Sequence, residues 1–165
     1  MEESMGIELR EFLFEGLLQL LKGDTVRRKR APEYAYVASL QGNSISSLVR
    51  ADDRWKSIEE RMPLKSPTYL VRSQCGRFLY VASSLTDTVS AFRADDGGTL
   101  VRLNNHSSDK QPESMAACPA GRFLYVGNSL GSSVSVFALD RNGMLSPPKS
   151  YPTKAGGHDV AHHPK

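Results

Sequence analysis

Gly121-Arg122-Phe123-Leu124-Tyr125-Val126 is the stretch that decides the fold, because the same six residues occur earlier as Gly76-Arg77-Phe78-Leu79-Tyr80-Val81. A shorter copy, Tyr36-Val37-Ala38-Ser39, precedes both. The Tyr-Val pairs of the three copies are separated by 44 and 45 residues. A repeat of this length that contains several short strands and turns is typical of a β-propeller blade.

Each copy continues with a small-residue loop, an alternating apolar run and an acidic turn such as Asp140-Arg141-Asn142-Gly143. Turns of this kind close β-hairpins. We label the strands of a blade A to D from the channel outward. Strand A then precedes the Gly-Arg-Phe turn, at Pro67–Arg72, Pro112–Ala117 and residues 157–162. The sequence therefore predicts an all-β fold, a partial β-propeller of about three four-stranded antiparallel blades.

The repeat begins and ends out of register with the blades. The first copy opens at strand B with Tyr34, and the last copy stops after strand A, before another Gly-Arg-Phe turn. We therefore expect about twelve strands in a fragment of a ring, since a propeller needs at least about four blades to close. The open blade faces predict self-association or aggregation of the chain.

The segment before the repeat has a different pattern. Its apolar residues recur at helical spacing over residues 5–22, at Ile7, Phe14, Leu17, Leu18 and Leu21. An amphipathic helix is the structure that this spacing favours. We therefore divide the chain into an N-terminal helix with a basic linker, residues 1–30, and a partial propeller, residues 31–165.

Composition excludes several classes of protein. With 39% hydrophobic and 24% charged residues, the chain has the profile of a soluble globular protein. The net charge of +3 depends on one basic run at residues 27–30, which predicts a solvated linker and no nucleic-acid surface. No apolar stretch approaches the roughly 20 residues of a membrane span. Cys75 and Cys118 do not correspond in the repeat, and the Met-Glu-Glu start lacks a signal-peptide pattern. These features predict free thiols and a cytoplasmic location.

The repeat resembles the lactonase-type seven-bladed β-propeller family, which includes the propeller class of 6-phosphogluconolactonase. The resemblance covers residues 31–165 and is strongest at residues 119–145, whose Gly-Arg-Phe-Leu-Tyr-Val, Ser-Ser-Val-Ser-Val-Phe and Asn-Gly-Met-Leu runs follow the family pattern. It implies hydrolysis of a sugar lactone, a small-molecule ligand, without a cofactor. Two other functions stay open, because a fold does not determine chemistry. They are a carboxymuconate-lactonising cyclase and a non-catalytic binding or scaffold propeller.

Lactone hydrolysis requires a group that activates water and donors that bind the substrate. In a propeller such groups gather at the channel mouth, where each strand A begins. At this position His158 beside Asp159 is the best pair of candidate catalytic residues, since an imidazole titrates near neutral pH and can move a proton. The family often has Arg-His at these two positions. The candidate substrate-binding residues are Thr68, Tyr69, Glu113 and Ser114. With most of the ring missing, we expect the isolated chain to be inactive.

His158-Asp159-Val160-Ala161-His162 imitates the His-Glu-x-x-His motif of zinc proteases. That motif requires a helix, whereas the repeat places this segment on a strand. Two histidines four residues apart on a strand stand about 13 Å from each other, too far to share one ion. The sequence therefore predicts no metal site.

Overall fold

The computed structural model describes residues 31–154 and 159–161, and of residues 59–61 it describes the backbone alone. The predicted helix at residues 5–22, the proposed boundary at residue 30 and the candidate His158 lie outside these ranges. Over the described residues the chain forms eleven strands in three sheets, and all strand pairs are antiparallel.

Each sheet is one blade. Blade I contains the strands β1 (Glu33–Ser39), β2 (Ser44–Ala51) and β3 (Arg54–Pro63). Blade II contains β4 (Pro67–Arg72), β5 (Phe78–Ser83), β6 (Thr88–Ala94) and β7 (Leu100–Ser107). Blade III contains β8 (Pro112–Ala117), β9 (Phe123–Asn128), β10 (Ser133–Ala138) and β11 (Lys149–Pro152). Within each blade the strands pair in chain order, as a propeller meander requires.

The predicted all-β partial propeller is confirmed. Strands A of blades II and III have the predicted bounds, Pro67–Arg72 and Pro112–Ala117. Blade I has three described strands, which correspond to B, C and D. The predicted strand over residues 157–162 is not formed in its described part, since residues 159–161 belong to no strand. A strand needs a hydrogen-bonded neighbour, and none of the described strands pairs with residues 159–161.

The apolar cores lie between the blades. We call the side of a blade that looks toward the next blade along the chain its forward face, and the other side its backward face. The forward face of blade II packs on the backward face of blade III in a cluster that includes Tyr80, Ala91, Leu124 and Phe137. Ile45 of blade I packs in the same way on residues of blade II. Successive residues of each strand point to opposite faces of the blade, so one strand contributes apolar side chains to both faces. Neighbouring blades then bury these side chains against each other.

Candidate active site at the start of strand A

The linkers that lead into strand A lie at the same end of the blades as the B–C turns. The backbone N–H of Ser66 donates to Asn43 Oδ1 over 2.8 Å, and the N–H of Gln111 donates to Asp87 Oδ1 over 2.8 Å. Asn43 and Asp87 occupy equivalent turn positions, with φ of 47° and 51°. Each B–C turn therefore fixes the beginning of the next blade's strand A.

A β-bulge opens strand A in both four-stranded blades. Pro67 pairs with Ser83 and Tyr69 pairs with Ala82, which leaves Thr68 without a partner residue in the ladder. Blade III repeats the irregularity with Glu113, which lies between the paired residues Pro112 and Ser114. Bulges redirect side chains and are frequent beside active sites. The bulge gives Thr68 and Glu113 equivalent positions on neighbouring blades.

Thr68 connects the two innermost strands. Its Oγ1 lies 3.3 Å from the carbonyl oxygen of Ala82 and 3.4 Å from the carbonyl oxygen of Pro112. The second contact crosses from blade II to blade III, so the hydroxyl joins the beginnings of the two strands A. The neighbouring Tyr69 is 38% exposed, which leaves part of its ring open to solvent.

Glu113 and Ser114 differ in their surroundings. Glu113 is half-buried, and its Oε1 accepts a hydrogen bond of 2.6 Å from Gln111 Nε2. Ser114 is 2% exposed, and its hydroxyl has no hydrogen-bond partner among the described residues. A Cβ at Gly127 would lie 2.5 Å from Ser114 Oγ, so glycine is needed where the two strands pair. Ser114 is thus packed inside the blade, whereas Glu113 lies closer to solvent.

Asp159 is exposed, and its Oδ1 accepts a hydrogen bond of 2.8 Å from the N–H of Val160. His158 lies outside the described residues. In the sequence Glu113 follows Thr68 by 45 residues and His158 follows Glu113 by 45 residues, so the three occupy one position of the repeat. The structure brings Thr68 and Glu113 together on adjacent blades and leaves His158 untested.

The charged groups at this end of the blades include residues that the sequence reading missed. The pKa of Asp87 is lowered by the hydrogen bond from the Gln111 N–H and by Lys110, whose Nζ lies 2.8 Å from Asp87 Oδ2. The pKa of Asp109 is lowered by the hydroxyls of Ser133 and Ser150. The polar residues Asn43, Asp87 and Ser132 occupy the same position of the B–C turn in successive blades. This recurrence of a polar side chain could have identified the turn position from the sequence.

Other predictions concern metals, thiols and membranes. The described residues contain no group of three or more His, Cys, Asp or Glu side chains that could hold a metal ion. Cys75 and Cys118 are free thiols, Cys75 exposed and Cys118 buried. Across residues 31–154 and 159–161 no helix has the length and apolar character to cross a bilayer.

Comparison with known proteins agrees with the repeat. The family model described as a lactonase, a 7-bladed β-propeller, matches residues 34–164. Among curated proteins none matches the chain.

Solved structures with the same fold include a candidate 6-phosphogluconolactonase of Bacteroides uniformis, with a TM-score of 0.73 and 23% identity over 80% of this chain and 41% of that one. The periplasmic gluconolactonase of Pseudomonas aeruginosa gives a TM-score of 0.68 and 22% identity over 74% of this chain and 38% of that one. At these identities the likeness shows the fold alone. The chain spans about two fifths of the length of these structures.

Proposed function

The chain belongs to the lactonase family of seven-bladed β-propellers, and from that premise we propose that a ring containing this arc hydrolyses a sugar lactone. The observation that carries the proposal is the bulge repeated at the start of strand A. It gives a polar side chain in each four-stranded blade, Thr68 and then Glu113, the same position beside the channel. The substrate class follows the names of the similar structures, a phosphogluconolactonase and a gluconolactonase.

The proposed reaction is attack of water on the lactone carbonyl. His158 takes the proton of the attacking water, and the exposed carboxylate of Asp159 keeps the imidazole basic. The tetrahedral intermediate collapses with cleavage of the ring C–O bond, and the proton returns to the departing alkoxide. The products are the open-chain hydroxy acid and no other species, so the reaction needs no co-reactant besides water.

The other candidate residues bind the substrate. The Glu113 carboxylate accepts hydrogen bonds from sugar hydroxyls, and the open part of the Tyr69 ring packs against the apolar face of the sugar. Thr68 joins β4 to β8 and so keeps Tyr69 and Glu113 close enough to contact the same sugar. Because the Ser114 hydroxyl is buried, we assign Ser114 to the packing of β8 on β9 and not to direct contact with the substrate.

The isolated chain should lack turnover. It spans 41% of the candidate 6-phosphogluconolactonase from Bacteroides uniformis, so most of a corresponding channel wall would come from other blades. We expect 6-phosphogluconolactone to hydrolyse in the presence of the purified chain no faster than in buffer. Turnover by the chain that His158→Ala abolishes would contradict this expectation and would support the assigned site.

Binding tests the site without requiring turnover. We propose to titrate the ¹⁵N-labelled chain with 6-phosphogluconate, a stable product-type probe. The amide signals of Thr68, Tyr69 and Glu113 should shift, and Glu113→Gln should weaken the response. Asp96→Asn, on the C–D turn at the opposite end of blade II, is the matched control and should leave the titration unchanged. Shifts that cluster away from strand A, or none at millimolar probe, would overturn the assignment.

The compartment is also a proposal. The free thiols of Cys75 and Cys118 favour the reducing cytoplasm, whereas the similar gluconolactonase of Pseudomonas aeruginosa is periplasmic. Fractionation of cells that express the chain in its natural context would decide between the two, with accumulation in the periplasmic fraction counting against a cytoplasmic location.

A further inference from the structure

An exposed leucine occurs in every B–C turn. Each of these turns has four residues between the strands, and the leucine is the first of them in blade I and the second in blades II and III. Leu40, Leu85 and Leu130 are 51%, 78% and 75% exposed, and the last two are the most exposed large apolar residues of the described chain. A single exposed leucine needs no explanation, whereas three at the same end of neighbouring blades form a pattern.

The backbone holds these turns beside the linkers that lead from strand D toward the next strand A. In each blade the last residue of the B–C turn accepts a backbone hydrogen bond from the linker. These bonds run from the Leu64 N–H to Asn43 O over 2.9 Å, from the Ser108 N–H to Asp87 O over 2.8 Å and from the Thr153 N–H to Ser132 O over 2.8 Å. Turn and linker therefore form one end surface in all three blades. We call this surface the rim, and it consists of residues 40–43, 84–87 and 129–132 with the linkers 64–66, 108–111 and 153–154.

Each linker of the rim carries an exposed lysine, Lys65, Lys110 and Lys154 in chain order. Lys110 Nζ lies 2.8 Å from Asp87 Oδ2, and this ion pair neutralises the one charged residue of the three B–C turns. Lys65 and Lys154 form no ion pair within the described part of the chain. The rim therefore combines protruding leucines with two unpaired cations.

The other acidic side chains at this end are bonded or lie off the rim. Asp109 Oδ2 accepts hydrogen bonds from the hydroxyls of Ser133 and Ser150, over 2.7 Å and 3.0 Å. Glu113 belongs to strand A, and the exposed Asp159 belongs to the segment that follows the rim. Within the rim, the charges that have no bonded partner among the described residues are both positive.

We propose that the rim docks on an anionic membrane surface, with the three leucines inserted among the acyl chains and with Lys65 and Lys154 against the lipid headgroups. Binding of this kind increases with the apolar area that enters the bilayer and with attraction to anionic lipids, and the rim supplies both. The leucines lie on three separate turns, so they form no continuous apolar stretch in the sequence. This inference goes beyond the proposed hydrolysis and does not depend on it.

The shape of the rim favours a bilayer over a protein partner. Leucines at the tips of turns protrude, so a protein would need a separate pocket for each of them, whereas acyl chains rearrange around any protruding side chain. The three turns end on the same side of neighbouring blades, and one flat surface can contact all of them. Lysine stems also cover apolar surface while their ammonium groups reach the headgroups.

Partitioning of the chain onto vesicles tests the proposal. The probe is phosphatidylcholine vesicles with about 30% phosphatidylserine, used in flotation at protein concentrations below those of self-association. The wild type should bind. Serine in place of all three leucines should lower the partition coefficient about 10-fold or more at any salt concentration, because less apolar area enters the bilayer. Glutamine in place of Lys65 and Lys154 should lower it about 10-fold at low salt, and high salt should remove this difference.

The opposite end of blade III offers matched controls. Met144 is 40% exposed in the C–D turn, and Arg141 is an exposed cation of the same turn. Met144→Ser and Arg141→Gln should leave the partition coefficient unchanged. Every variant should keep the urea midpoint of the wild type, because the substituted side chains are exposed.

Fluorescence identifies the side chain that enters the bilayer. Trp55→Phe removes the one native tryptophan and provides the background. In that background the emission of Leu85→Trp should shift to shorter wavelength on the anionic vesicles, and brominated acyl chains should quench it. Met144→Trp should show neither effect.

Three outcomes would overturn the proposal. The first is a wild type that does not bind the anionic vesicles at millimolar lipid. The second is binding that the leucine substitutions leave unchanged, as would happen if residues 1–30 alone carried it. The third is a dimer of the chain that the same substitutions dissociate, which would identify a second copy as the occupant of the rim.

Discussion

At the scale of single residues, the B–C turn side chains set the site because they fix the backbone that leads into strand A. Asp87 accepts the Gln111 N–H in blade III, and Asn43 accepts the Ser66 N–H in blade II over the same 2.8 Å. The amide oxygen of Asn43 and the carboxylate oxygen of Asp87 therefore accept the same backbone hydrogen bond in two successive blades. What the carboxylate adds is a charge, and with it a dependence on pH.

Two substitutions of Asp87 separate the hydrogen bond from the charge. Asp87→Ala leaves the Gln111 N–H without its side-chain acceptor and should cost about 1–3 kcal/mol of unfolding free energy at pH 7. Asp87→Asn restores the arrangement seen at Asn43 and should cost less, since it loses only an exposed ion pair. Urea unfolding at pH 7 measures both costs. Equal losses for the two variants would show that the charge matters more than the bond.

Comparison of the wild type with Asp87→Asn should also show an effect of pH on stability. The folded-state pKa of Asp87 is lowered, first by the Gln111 N–H and then by Lys110. Its stabilisation is therefore complete above the unfolded value near 3.9 and is lost as the pH falls through the lower folded value. Wild type should lose more stability than Asp87→Asn between pH 5 and pH 2, measured by urea unfolding. Parallel curves would contradict the shift, because the change that the substitution makes at Asp109 is small: the Asp87 charge is the weakest of the influences on the Asp109 pKa.

Cys75 gives a second prediction at this scale. A hydrogen bond with Ser73 is the largest cause that lowers the pKa of its thiol from 9.0 to about 7. Alkylation by iodoacetamide should therefore reach half its maximal rate near pH 7, and Ser73→Ala should move that midpoint upward. Cys75→Ser is the control, because the remaining Cys118 is buried and should react only on unfolding. A midpoint near 9 in the wild type would refute the prediction.

At the scale of strands and turns, the glycines of the C–D turns decide how closely two blades approach. Gly143→Ala should destabilise the chain by about 2–5 kcal/mol, because the strain of the left-handed backbone at a φ of +80° adds to the clash of an added Cβ with the Phe78 ring. Gly121→Ala is the matched control. Its φ is +67°, yet nothing lies within 4 Å of an added Cβ, so it should cost only about 1–2 kcal/mol. Thermal or urea unfolding measures the loss of unfolding free energy in both variants. Equal losses would show that the Phe78 ring moves aside without cost.

The strands that lie within the repeated sequence runs could be predicted. The Phe-Leu-Tyr-Val runs identified strand B, and the regular spacing then gave strand A with its observed bounds at Pro67–Arg72 and Pro112–Ala117. The bulges at Thr68 and Glu113 were not predicted, because an extra residue in a ladder leaves no mark in the apolar pattern. The hydrogen bonds of Asn43 and Asp87 were missed for a related reason, since they join segments more than 20 residues apart.

At the scale of the whole molecule, each blade is stable on the side where it has a neighbour. Val81 of blade II is fully buried against blade I, whereas Val37, its equivalent in blade I, is 48% exposed. Phe123 of blade III is likewise more exposed than Phe78 of blade II. The phase of the repeat predicts less cover on these two faces, and the greater exposure of Val37 and Phe123 agrees with that expectation among the described residues. The repeat did not predict that residues 159–161 would belong to no strand, because it places a strand there by spacing alone, whereas a strand forms only where a neighbour pairs with it.

We propose that these open faces make the isolated chain self-associate at micromolar concentration. Each would bury apolar surface worth about 25 cal/mol per Å² if covered, so contact between chains is favourable. The Phe78 ring packs against Gly143 in the C–D turn of blade III, whereas the C–D turn of blade I, Ala51-Asp52-Asp53-Arg54, has no glycine for Phe123. The contacts should therefore be heterogeneous, and light scattering should report a mass that rises with concentration. Phe123→Glu places a charge on the forward face of blade III and should reduce the association, whereas Leu130→Glu, on an exposed turn, should not. A monodisperse monomer that unfolds cooperatively would show that the arc covers its faces by itself.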